Sequence, residues 1–300
     1  MSALFFNPYV YSSSSGFTFT FTNIGATGSN GPTTLSGYSS GYPSGLTLSN
    51  GIQYWPVPTT GTYSFVLAGA GSSVNGTNAN GWVFDSGNVN NRYTLNAGTI
   101  VAILVGQQGT TYSSVTTGGS GCTYVATVSA AGSLTGSVLL FAAGGGGGIG
   151  NTPYPNINAV GTTSGLATQD TGAARSLPGS NGNGASGWLN FTTTCPGGGG
   201  YLNGNNQGTS PASVIAGYGF LQGGAGGVGT YASGGFGGGT ASNQITGGGG
   251  GGYSGGAGGG SANGGESGGA GGSYNINTSL NTATGSATNT GMGYVIVTKI

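Results

Sequence analysis

Five runs of bare glycine constrain this chain more than anything else in it: Gly144–Gly148, Gly197–Gly200, Gly237–Gly239, Gly247–Gly252 and Gly258–Gly260. Glycine supplies 73 of 300 residues, but without the strict every-third spacing of a collagen strand. A residue with no Cβ packs no side chain, so such segments are ordered only where backbone lies directly on backbone. Each glycine also gives up about 0.5–1 kcal/mol more than alanine on ordering. A backbone hydrogen bond returns a net of about 1 kcal/mol, which is the same order. The runs are therefore either flexible or part of a nearly complete backbone lattice. Extended threefold helices suit a lattice, because their N–H and C=O groups point outward and free of internal bonds. Interior helices would then be glycine on every side, while rim helices show Ala, Ser, Tyr or Asn outward.

Composition favours the lattice. Hydrophobic residues make up 35% of the chain and aromatic residues 10%, a globular rather than a linker-like balance. Only Asp85, Arg92, Asp170, Arg175, Glu266 and Lys299 carry full charges, and there is no histidine. Three isolated cations cannot displace the counterions of a nucleic acid, nor hold an anionic membrane. With so few titrating groups, stability is expected to be nearly independent of pH and salt through the neutral range. No stretch reaches the roughly 20 apolar residues of a membrane span, and the N-terminus has no basic region of a signal peptide. Membrane insertion is not expected.

Along the chain, residues 1–16 read as an appendage. Leu4, Phe5, Phe6, Tyr9 and Tyr11 form an apolar, β-prone stretch, followed by a serine tether, Ser12–Ser15. Such a strand either completes its own sheet or pairs with the open edge of a neighbouring copy. Residues 17–143 carry β-sandwich signals. Phe17–Thr22 alternates aromatic and threonine residues, and strands are expected at Gly51–Trp55, Gly61–Ala68, Thr99–Val105, Thr123–Val128 and Ser137–Ala142. Asn50-Gly51, Asn75-Gly76, Asn96-Ala97-Gly98 and Gly132-Ser133 supply turns between them. Residues 144–272 hold the glycine runs as an insertion, and 273–300 complete the sandwich with a closing strand at Gly293–Lys299. The expected fold is all-β: a sandwich carrying an inserted glycine bundle.

Four segments in order carry a family resemblance: Gly25–Thr33, Gly51–Pro58, Ile103–Gly109 with its Gln107-Gln108 pair, and Ala142–Gly147. Gly234–Gly237 leading to Gly247–Tyr253 adds a weaker fifth. Together they resemble the glycine-rich extracellular domain of the anaplastic lymphoma kinase and leukocyte tyrosine kinase receptors, over roughly residues 17–260. Similar domains occur in proteins of large DNA viruses and microbial surfaces. The resemblance implies a TNF-like, jelly-roll sandwich with an inserted bundle of polyglycine-type helices. It does not carry function with it. The receptors engage basic cytokines through acidic surface residues, whereas here Glu266 is the only acidic residue after Asp170.

Catalytic chemistry finds little to work with. General acid–base catalysis needs histidine or tuned carboxylates, and the three carboxylates here lie far apart in sequence. Cys122 and Cys195 have no activating base nearby in sequence, and two cysteines without histidine do not build a zinc site. They either pair as a disulfide or stay as two free thiols. No enzyme activity, cofactor or metal is expected. Tyr201, Tyr231 and Tyr253 stand out as candidate surface-binding residues, with Tyr38, Tyr42, Tyr54 and Tyr218 also beside glycines or turns. Tyrosine stacks on sugars, although each of these also suits a role in capping the sandwich or the lattice rim. Asn75-Gly76-Thr77, Asn190-Phe191-Thr192 and Asn277-Thr278-Ser279 match the glycosylation pattern, as chance allows in a chain this rich in Asn and Thr. The expectation is a non-enzymatic structural protein, self-assembled in many copies on a virion surface or as an extracellular fibre. The alternative is an adhesin for host glycans or surface proteins.

Overall fold

The computed structural model describes residues 16–152, 155–168, 176–186, 195–204, 215–260, 264–278 and 282–300. The apolar stretch from Leu4 to Tyr11 lies outside them. Apart from 3₁₀ turns at Val89–Asn91, Pro155–Ile157 and Phe220–Gln222, regular structure among the described residues is strand.

Two antiparallel sheets of six strands dominate. The first contains, in spatial order, β1 (Thr18–Phe21), β16 (Tyr294–Lys299), β4 (Gly61–Ala68), β7 (Gly81–Phe84) and β15 (Gly285–Asn289), with β8 (Arg92–Leu95) also paired to β4. The second runs β14 (Tyr274–Asn275), β13 (Val138–Ala143), β12 (Thr123–Val128), β9 (Ile100–Leu104), β3 (Ile52–Pro56) and β2 (Thr47–Ser49). Two small hairpins complete the set: β5 (Ser72–Val74) with β6 (Thr77–Ala79), and β10 (Thr111–Tyr112) with β11 (Thr116–Thr117). The seven strands expected from the sequence are all present, within one residue at either end.

Alternation decides how the sheets pack. In β1, the register Phe19↔Val297 and Phe21↔Val295 turns the aromatic face inward and the threonines outward. Tyr63, Phe65 and Leu67 of β4 meet Trp55, Val101, Ile103 and Val125 of the second sheet in one core. Phe17 stacks on Trp55 at 5.0 Å between ring centroids. A bulge opposite Val125 and Ala126 leaves Leu140 without a partner, so that it and Phe141 both enter this core. At one end the two sheets are latched. Tyr38 donates its hydroxyl to Gln53 Oε1 (2.6 Å) and accepts from the Thr22 N–H, while Gln53 Nε2 donates to the Thr22 carbonyl.

The second sheet buries its outer face as well. Ile52, Tyr54, Leu104, Tyr124 and Leu139 on that face pack under Phe220 and Phe236 from the glycine-rich part of the chain. A strand covered on both sides explains why β9 reads as a continuous apolar run rather than an alternating one.

The glycine runs are ordered by hydrogen bonds to other segments, and those bonds repeat every third residue. The N–H groups of Gly248 and Gly251 donate to Thr117 and Ser120, those of Gly249 and Gly252 to Pro196 and Gly199, and those of Gly250 and Tyr253 to Gly269 and Gly272. Carbonyls of the same run accept from Gly145 and Gly148, from Thr240, and from Gly256 and Gly259. Gly247–Gly252 is thus bonded to six surrounding segments and lies at the centre of the network. Its neighbours obey the same period: Gly145 and Gly148 both donate into the central run, Gly146 to Ala70 and Gly147 to Ile157.

A side chain has no room there. A Cβ on Gly250 would lie 2.6 Å from the carbonyl oxygens of Gly145 and Gly146, and one on Gly119 would overlap the Gly249 carbonyl. The network is not confined to residues 144–272, because 106–109 and 117–122 also take part. Glu266 is fully buried beside it.

Candidate functional site

Among the described residues, no three His, Cys, Asp or Glu side chains come together as a metal-ion site. Both cysteines are free thiols, and each is buried. The disulfide left open by the sequence is not formed, because the two sulfurs are held in different surroundings. Cys122 packs against the outer face of the second sheet, with Leu104 and Tyr124 in the same cluster. Cys195 Sγ lies 2.9 Å from Thr246 Oγ1 and accepts the Asn243 N–H at 3.1 Å. Burial pushes the Cys122 thiol well up and Cys195 to about 11, so both are protonated at neutral pH and are poor nucleophiles.

Two of the three tyrosines singled out in the sequence come together. Tyr274, Tyr253, Tyr201, Phe220 and Tyr124 form a ladder with successive ring centroids 4.6, 6.5, 5.6 and 4.9 Å apart. It runs from the surface down to Tyr124, whose hydroxyl donates to the Gly252 carbonyl at 2.6 Å. Tyr201 is fixed by Ser137, with its hydroxyl 2.9 Å from Ser137 Oγ. Burial raises the pKa of Tyr253 and Tyr274, and raises that of Tyr124 well above its ordinary value. Tyr231 is elsewhere, edge-on to Tyr112 on the β10–β11 hairpin.

The remaining tyrosines divide. Tyr42 and Tyr218 are exposed as expected. Tyr54 is only 2% exposed, because it lies on the covered face of β3, and Tyr38 is half-buried in the sheet latch. The three tyrosines therefore form no single binding platform, and the ladder is largely internal packing.

A cleft of about 590 Å³ lies at one end of the covered sheet face. It is bounded by Asn30–Thr33, by the hairpin turn Asn50-Gly51, and by Gln222, Gly223 and Ala225. Local chemistry builds each wall. Asn50 (φ 49°) and Gly51 (φ 79°) are both left-handed, as a tight hairpin between β2 and β3 requires. Gly31 and Gly51 lie against the Phe236 ring so closely that a Cβ on either would meet it at 2.7–2.8 Å. The Gly226 and Phe236 N–H groups donate to Ser29 and Gly28, which fastens the loop to the glycine network. Gln222 Oε1 accepts from the N–H groups of Gly204 and Gly219. No titratable group lines the cleft. Smaller clefts of about 210 and 370 Å³ adjoin the same 3₁₀ turn at Gln222 and Leu221 respectively.

Sequence reasoning missed this cleft, because Asn30, Asn50 and Gln222 are far apart in the chain and carry no motif. Gln107, singled out in the sequence only within the Ile103–Gly109 block, has a side-chain amide fully buried without a hydrogen-bond partner among the described residues. Compared with protein-family models and with curated proteins, the chain matches none.

Proposed function

We propose that this protein is a structural subunit without enzymatic activity, deployed in many copies on a virion surface or in an extracellular fibre. One observation carries the reading: Gly247–Gly252 is hydrogen-bonded, backbone to backbone, to six surrounding segments. Such a core is built of backbone, with almost no side chains to carry chemistry. What it offers is stiffness, since displacing any one segment breaks bonds to several others. The period of three in its donors supports reading these segments as polyglycine-type threefold helices. On that reading they are inserted in a TNF-like, jelly-roll sandwich, as the resemblance to the receptor domain implies.

The apolar stretch Leu4–Tyr11 precedes β1, which lies at the edge of the first sheet. It is the segment assigned to join copies, by pairing with the sheet edge of a neighbour. Deletion of residues 1–16 is expected to leave a folded monomer, with unchanged circular dichroism and melting temperature, that no longer assembles. Sedimentation and electron microscopy read the outcome. Native assemblies from the truncated chain would rule the strand out as the link.

A further inference from the structure

We propose that the cleft between Asn30–Thr33, Asn50-Gly51 and Gln222–Ala225 binds a neutral carbohydrate, an activity separate from the structural role and independent of it. Three carboxamides surround an apolar floor there, which is the composition of a small-molecule site. Each amide retains hydrogen-bonding capacity. The side chains of Asn30 and Asn50 make no hydrogen bond to the described residues. The oxygen of Gln222 is occupied by the backbone N–H groups of Gly204 and Gly219, which leaves its two amide N–H donors uncommitted. That bonding also fixes the side chain before any ligand arrives, so little rotamer entropy remains to be lost.

The chemistry selects the ligand class. A carboxamide offers a donor and an acceptor side by side, which matches neighbouring sugar hydroxyls, each of them both donor and acceptor. Half-buried Leu48, lying over the buried Pro32 and Phe236, supplies the apolar surface that the C–H face of a sugar ring covers. With no titratable group on the walls, a phosphate, sulfate or carboxylate entering the cleft would lose hydration and gain no counter-charge. The volume of about 590 Å³ falls within the roughly 300–1,000 Å³ typical of ligand sites.

The test uses the full chain on an array of immobilised oligosaccharides, followed by calorimetric titration with the neutral oligosaccharide giving the strongest signal. Asn30→Ala removes one amide from an exposed loop, and Thr33→Trp fills the cleft from its exposed lip. Neither residue donates or accepts within the glycine network, and melting temperatures verify that both variants fold. Binding at least tenfold weaker in Asn30→Ala, lost in Thr33→Trp and unchanged in Tyr231→Ala is the expected pattern. Silence across the neutral sugars, binding confined to sialylated or sulfated glycans, or binding that survives Thr33→Trp would overturn the proposal. So would loss of binding in Tyr231→Ala alone, which would put the sugar at the Tyr231–Tyr112 pair. Assembly is read separately, so failure of the 1–16 deletion experiment leaves this result standing.

Discussion

At the residue scale, a glycine here matters by what touches it rather than by its own flexibility. Gly250 sits in the central run with two carbonyl oxygens where its Cβ would go, whereas a Cβ on Gly291 meets only Asn289 Oδ1, at 3.7 Å. Neither has a positive φ, so the contrast is one of space and not of backbone strain. Gly250→Ala is expected to cost on the order of 4 kcal/mol or to abolish folding, and Gly291→Ala to change stability by about 0.5 kcal/mol or less. Denaturant melts of the two variants check this, and equal midpoints would contradict a close-packed backbone core. The sequence shows that the runs exist. Which glycine is central is decided by neighbours from six parts of the chain, and no local pattern records that.

At the element scale, the strands with a strong period were legible. Phe17–Thr22 alternates, and Gly61–Ala68 and Thr123–Val128 are long and β-branched or aromatic. Strands such as β15 (Gly-Ser-Ala-Thr-Asn) and β14 (Tyr-Asn) carry almost no apolar signal, because they are held by pairing to Trp82, Val83 and Phe141 on adjacent strands. Two layers are also tied by a bond that the sequence does not announce. The buried hydroxyl of Tyr124, on β12, donates to Gly252 at the end of the central run. Tyr124→Phe keeps the ring and its packing on Phe220 but leaves that carbonyl short of its donor. The expected loss is about 1–3 kcal/mol in equilibrium unfolding, and an unchanged midpoint would mean that sheet and network are held by packing alone.

At the scale of the whole molecule, pH is the sharpest probe of a chain with 2% charged residues. Burial raises the pKa of Tyr38, Tyr54, Tyr124, Tyr253, Tyr274, Cys122 and Cys195 above their ordinary values of 10.0 and 9.0. Below the unfolded values these groups hold their protons in both states, and their contribution to stability is fully present. Above them the unfolded chain ionises first, binds fewer protons than the native state, and gains on it until the folded values are passed. The melting temperature is therefore expected to fall above about pH 9. For Cys195 the window runs from 9.0 to about 11, so Cys195→Ala is expected to make the alkaline decline shallower. A melting temperature that does not move between about pH 9 and about pH 11 would contradict this.

The same scale separates what each level of description decides. Sequence alone established the all-β character, the near absence of charge, the longest strands, and a choice for the glycine runs between flexibility and a backbone lattice. These follow from local properties: side-chain alternation, turn chemistry, and the missing Cβ. Tertiary structure decided that Gly247–Gly252 is the centre, that the second sheet is covered on both faces, and that the two thiols stay apart. It also decided that Tyr201 and Tyr253 stack while Tyr231 stands alone, and that three separate amides share one cleft. The physical reason is common to all of these. A glycine segment carries no side-chain record of its partners, and its place is set by N–H and C=O groups that every residue except proline possesses.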